Sequence, residues 1–212
     1  MSDSLTTPFV APSGDALDAL LELVNIGVGL AADTISQLAS RTVAISVPKI
    51  ELIHLGQSNV DSALQLGGNS MLRVSQGFNG DLVGDAMLVI NEEGGKRLAE
   101  LLLGDVNSLH SIDPDAQSAL LELGNIVING IVGTLANQLE IEVSYELPVM
   151  QLRGAGQFVD LIFDLIDPQE ACVLLMRASL ALSSDQVNGH VMLILRQGGM
   201  NDLIRRLERL AA

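Results

Sequence analysis

Asp15-Ala-Leu-Asp-Ala-Leu-Leu-Glu-Leu-Val-Asn-Ile26 returns further along the chain as Asp115-Ala-Gln-Ser-Ala-Leu-Leu-Glu-Leu-Gly-Asn-Ile126. At that offset of 100, residues 15–48 match 115–148 with 12 identities in 34 positions and no gap, and Thr34, Val43 and Pro48 fall on Thr134, Val143 and Pro148. Similarity resumes at an offset of 105, where Gly84-Asp-Ala-Met-Leu-Val-Ile90 lies over Gly189-His-Val-Met-Leu-Ile-Leu195. Each of these apolar runs leads into a glycine pair and a helix-like segment, Gly94–Leu103 and Gly198–Leu210. One supersecondary unit is therefore used twice.

Each unit opens on a helix whose start is marked the same way. Ser13 and Asp113 stand at N-cap positions, and Pro114 follows where its missing N–H does no harm. Leu17, Leu20, Leu21, Val24, Val28, Ala31, Ile35 and Leu38 then recur at helical spacing. Extended segments follow, Thr42–Val47 and Ile141–Leu147, each closed by a proline expected to end its ladder. Strands dominate from there to each closing helix, so the fold class is α+β, with long helices packed on a β-sheet. Asn79-Gly80 and Asn188-Gly189 read as hairpin turns. Residues 1–12 read as a flexible N-terminal tail, and 13–212 as one pseudo-twofold domain of two repeats, about 13–104 and 113–210.

The composition bounds what such a domain can do. Its 212 residues suffice for a sizeable core, and with no Trp, one Tyr and four Phe that core is aliphatic. A formal net charge of −15 repels a phosphate backbone, which argues against a nucleic-acid partner. The one basic cluster, Arg205, Arg206 and Arg209, suits a solvated helix end. Cys172 is the single cysteine, so no disulfide framework forms, the expected compartment is a reducing cytoplasm, and the thiol reads as a small buried hydrophobe. The start of the chain lacks the basic flank and apolar run of a signal peptide. The nearest thing to a membrane span, Ala119–Leu135, is interrupted by Glu122, Asn125 and Asn129 and reads as a buried amphipathic helix.

Polar residues on the two leading helices carry the chemistry. Asp18, Glu22 and Asn25 lie at i, i+4 and i+7, within about 60° of one another around a helix. Ser118, Glu122 and Asn125 repeat the stripe. Either one alone is an ordinary solvated face. A solvated face needs polarity but not identity, however, and Glu and Asn recur here while the neighbouring Leu17 has become Gln117. In both copies the Asn is followed, after 22 intervening residues, by a proline, Pro48 or Pro148.

Asp or Ser, three residues, Glu, two residues, Asn, 22 residues, Pro: this pattern, present twice without departure, resembles the signature of the CheC, CheX and FliY phosphatase family of bacterial chemotaxis. With the later glycine and strand elements the resemblance spans roughly 15–210, and two motif copies ending at Ala212 match its CheC type. The resemblance implies an enzyme that removes the aspartyl phosphate from a CheY-type response-regulator receiver in two-component signalling. Glu22, Asn25, Glu122 and Asn125 would be catalytic, each Asn orienting the attacking water and each Glu anchoring the receiver through the lysine beside its phosphate. Asp18 and Ser118 would touch the partner, and Pro48 and Pro148 would be structural. It further implies no cofactor on this chain, Mg²⁺ arriving with the receiver. The alternative it carries is a non-catalytic adaptor for the receptor deamidase CheD. Glu as general base is a second option for the chemistry.

Other signals are weaker. Gly27-Val-Gly29 imitates part of a dinucleotide fingerprint but lies inside a helix. His54, His110 and His190 have no ligand spacing, so no metal site is expected. Gly29 and Gly133, beside the stripes, are expected to admit a partner or the other helix at close range.

Overall fold

Ser13 Oγ accepts from Ala16 N at 3.1 Å and Asp113 Oδ1 from Ala116 N at 2.8 Å, so both leading helices start where the sequence marks them. A computed structural model describes residues 9–54, 70–104, 111–154, 171–182 and 185–212. In chain order these form α1 (Gly14–Ala39), β1 (Val43–His54), β2 (Ser70–Gly80), β3 (Gly84–Asn91), α2 (Glu92–Leu103), α3 (Pro114–Gln138), β4 (Val143–Tyr145), β5 (Val149–Gly154), β6 (Ala171–Leu182), β7 (Asp185–Arg196) and α4 (Gln197–Ala211). The architecture is α+β, four helices packed on a seven-stranded antiparallel sheet. Of the N-terminal tail, residues 1–8 lie outside the described residues; Phe9 packs against the core and Val10 N donates to Asn201 Oδ1 at 2.9 Å.

The strands run β1-β6-β7-β3-β2, with β4 and β5 in succession along the outer side of β2. Exchanging β1 with β4 and β5, β2 with β6 and β3 with β7 leaves this order unchanged when it is read backwards. The pseudo-twofold thus passes between β3 and β7, which pair directly. Each half lays its first strand on the second strand of the other half, β1 on β6 and β5 on β2. Neither half completes its part of the sheet alone.

Alternation sorts the strand residues between two faces. Leu72, Val74, Leu88, Ile90, Leu174, Met176, Val191 and Leu193 meet the four helices in one core. Met87, Val89, Val173, Leu175, Met192 and Ile194 face the other way and are buried too. Cys172 belongs to the core, and burial pushes its thiol up to about 11, which leaves it inert at neutral pH. The segment read as the nearest membrane span lies in α3; α1 and α3 are both long and apolar, and each has one face in this core.

The two long helices touch at different glycines from those expected. A Cβ on Gly27 would lie 2.6 Å from Gly130 O, and one on Gly130 2.7 Å from Gly27 O. Gly29 would meet nothing within 4 Å, and Gly133 only Tyr145 Oη at 3.6 Å. The reason is angular: Gly29 lies on the outward stripe, whereas Gly27 is turned toward α3.

Three further details depart from expectation. β1 does not end at Pro48 but shifts register between Ser46 and Lys49 and continues, because a bulge absorbs the missing N–H. In the second half the break is complete, and β4 and β5 are separate strands on either side of Glu146-Leu147-Pro148. Asn188-Gly189 lies inside β7, which pairs with β6 from Ala171↔Arg196 to Leu182↔Asp185. At the C-terminal end, Arg206 Nη1 donates to Leu139 O at 3.0 Å and thereby satisfies the end of α3, not only its own helix.

Candidate functional site

The helical rise and the two N-caps place Asp18, Glu22 and Asn25 on the outward face of α1, where all three are exposed. No described side chain pairs with Asp18 or Glu22. Asn25 is different. Its Nδ2 donates to Leu21 O at 2.9 Å and to Val47 O at 3.2 Å, while Oδ1 accepts from Val47 N at 3.2 Å. Val47 sits in the β1 bulge just before Pro48, with no ladder partner. The Asn25 amide supplies the hydrogen bonds that the bulged backbone lacks.

The second stripe lies on α3. Ser118 is exposed and donates its hydroxyl back to Pro114 O at 2.9 Å; Glu122 is exposed and unpaired among the described residues. Asn125 is half-buried. Gly124 lets α3 settle onto β2, since a Cβ there would stand 2.4 Å from Val74 Cγ1. Asn125 consequently faces Gln76, and not the backbone of residue 147. Gln76 Nε2 donates to Asn125 Oδ1 at 3.2 Å and to Glu146 O at 2.8 Å, and Asn129 Nδ2 donates to Asn125 Oδ1 at 2.9 Å. Leu147, the counterpart of buried Val47, is 87% exposed.

Thus Glu22 and Asn25 lie together on one outward face and Glu122 and Asn125 on the other, with Asp18 and Ser118 toward the helix starts. Sequence reasoning missed Gln76 and Asn129. Asn129 carried a signal, since it stands one turn after Asn125 where the first half has Gly29. Gln76 reaches the site by strand pairing, which leaves no local trace. Among the described residues no group of three or more His, Cys, Asp or Glu side chains could hold a metal ion, and His110 lies outside them.

On the sheet face away from the helices, a cavity of about 280 Å³ is lined by Gly77, Asp85, Glu146 and Arg196 among others. Burial, then the Glu146 carboxylate, holds Asp85 above its ordinary value, with Arg73 opposing. A second cavity, about 350 Å³, includes Pro48, Arg177 and His190. There burial, then Arg177, pushes His190 down, with Glu51 opposing.

Residues 16–52, which span the first motif, match the CheC-like family. The chain is 26% identical over 155 residues to CheC1 of Halobacterium salinarum, covering 73% of this chain and 76% of that one. It is 27% identical over 152 residues to the CheY-P phosphatase CheC of Bacillus subtilis, covering 68% of this chain and 70% of that one. The crystal structure of Thermotoga maritima FliY shares the fold, with a TM-score of 0.74 at 19% identity over 95% of this chain and 98% of that one. The FliM middle domain of H. pylori shares it at a TM-score of 0.64 and 11% identity, over 92% and 99% of the two chains. The matched motif segment, the two CheC relatives and the shared fold support this chain as a CheC-type family member.

Proposed function

We propose that the chain is a phosphatase that hydrolyses the aspartyl phosphate of a CheY-type receiver, with residues 13–212 acting as one unit of two repeats. The observation that carries this reading is an exposed, unpaired Glu one turn from an Asn amide, present on both long helices. The B. subtilis relative's name supports the same substrate. A cytoplasmic site of action follows from that substrate.

The chemistry asks little of the chain. An acyl phosphate beside Mg²⁺, which the receiver brings, is already activated; what remains is to place a water in line with the leaving oxygen. The water oxygen bonds to phosphorus as the bond to the aspartyl oxygen breaks, and aspartate and dihydrogen phosphate result. An amide orients water without acting as a base. Glu22 and Glu122 offer free carboxylates for a charge-assisted bond to a cation on the receiver. Asp18 and Ser118 extend the docking face.

The test is dephosphorylation of a phosphorylated receiver with Mg²⁺ present. Asn25→Ala with Asn125→Ala is expected to cut the rate at least about a hundredfold, with the circular dichroism spectrum unchanged. A double variant at the wild-type rate refutes the site assignment. A wild type that leaves the receiver's own rate unaltered points to an adaptor, for which CheD is the binding partner to try.

A further inference from the structure

The two Asn side chains are identical in sequence and opposite in what they leave free. A primary amide has two N–H donors and two acceptor lone pairs. In the first half Leu21 O and Val47 O use both Asn25 Nδ2 hydrogens, and Val47 N uses one lone pair of Oδ1. One acceptor lone pair remains. In the second half Gln76 and Asn129 fill both lone pairs of Asn125 Oδ1, and Asn125 Nδ2 has no acceptor among the described residues. Two donors remain.

Backbone chemistry dictates this arrangement. Glu146 O only accepts, so Gln76 must turn Nε2 toward it. That nitrogen can meet Asn125 only through Oδ1, and Oδ1 in turn admits only the nitrogen of Asn129. The arrangement leaves Gln76 Oε1 and Asn129 Oδ1 buried without partners, although Gln76 is just 4% exposed. The fold itself does not need polar groups here, because Met176 and Gly29 occupy the equivalent positions around Asn25. Buried orphan acceptors are kept where an apolar pair suffices, and the feature they secure is the orientation of Asn125.

We propose that Gln76 and Asn129 are positioning residues of the second site, which hold Asn125 as a hydrogen-bond donor toward a phosphoryl oxygen, whereas Asn25 keeps an acceptor for the attacking water. The inference rests on the phosphatase reading above and makes the two sites chemically unequal.

Two readouts test it. In an Asn25→Ala background, Asn129→Ala and Gln76→Met are each expected to lower kcat roughly tenfold at unchanged KM. In an Asn125→Ala background the same substitutions are expected to leave the residual rate as it was. Equal losses in both backgrounds, or none in the first, overturn the proposal. Independently of activity, Asn129→Ala should shift the side-chain amide resonances of Asn125 and leave those of Asn25 in place; unmoved Asn125 resonances overturn it as well. An inactive wild type that shows the shift sinks the phosphatase reading and retains the clamp.

Discussion

The two halves close the same motif with different materials. Around Asn25 the first half uses main chain, the bulged Val47 turned inward and bonded through both its N–H and its C=O. Around Asn125 the support is side chains, Asn129 from the same helix and Gln76 from the other repeat, and the corresponding backbone swings out with Leu147 at its tip. The divergence is concerted: Met176, Gly29 and Ile45 stand around Asn25 where Gln76, Asn129 and Tyr145 stand around Asn125. A duplicated unit can thus keep its functional pair while the support beneath it is rebuilt, and exchanging residues between halves measures what each support is worth.

The largest effect belongs to the point where the halves meet. At Gly27 an added Cβ runs into main chain, 2.6 Å from Gly130 O and 2.8 Å from Ile131 Cα, so the helices must part. Gly27→Val, the residue of the second half at position 127, is expected to cost about 3 kcal/mol. Gly29→Ala, two residues on and facing open space, should stabilise by about 0.5–1 kcal/mol through helix propensity alone. Urea unfolding midpoints decide it. Shifts of the same sign at both positions would show that the helix crossing is not where the halves are tightest.

Next comes the residue before each proline. Val47 is 1% exposed and Leu147 87% exposed at equivalent places. Val47→Ala should cost about 1–2 kcal/mol, whereas Leu147→Ala should stay within about 0.5 kcal/mol. Equal costs would mean that the segment between β4 and β5 folds inward in solution, and with it the contrast between the two supports would disappear.

How much of this was legible beforehand follows from the range of each interaction. Helix caps and stripes are local, so Ser13, Asp113 and the Glu/Asn spacing could be read directly. The duplication, seen by sliding the chain, implied a twofold but not its interleaving, because β1 on β6 is a pairing between residues more than a hundred positions apart. Asn188-Gly189 has hairpin chemistry yet lies in mid-strand, where tertiary pairing with β3 overrides turn preference. Pro48 was expected to stop a strand and instead marks a bulge whose loose backbone Asn25 satisfies. Gln76 had no sequence signal at all, since only its neighbours across β2 and α3 give it a role.

The smallest effect concerns the residues that follow Gly84 and Gly189 on the sheet face away from the helices, where one half has an acid, Asp85, and the other a base, His190. Burial favours the neutral form of both, raising Asp85 and lowering His190. For Asp85 both folded and unfolded chains are protonated below about pH 3.9. As pH rises from there toward the raised folded value, the unfolded chain ionises first and stability falls. For His190 both are neutral well above about pH 6.5; as pH drops through that value the unfolded chain gains the proton first, and stability falls in the other direction. Asp85→Asn should therefore raise the melting temperature at neutral pH, with the gain fading as the pH is lowered toward 4. His190→Leu should raise it in acid, with the gain fading above pH 7. The check is a set of thermal melts of both variants and the wild type across that range. Parallel curves would mean that Arg73 and Glu51, the opposing charges beside the two groups, offset burial in full, and the halves would then not differ in how they respond to pH.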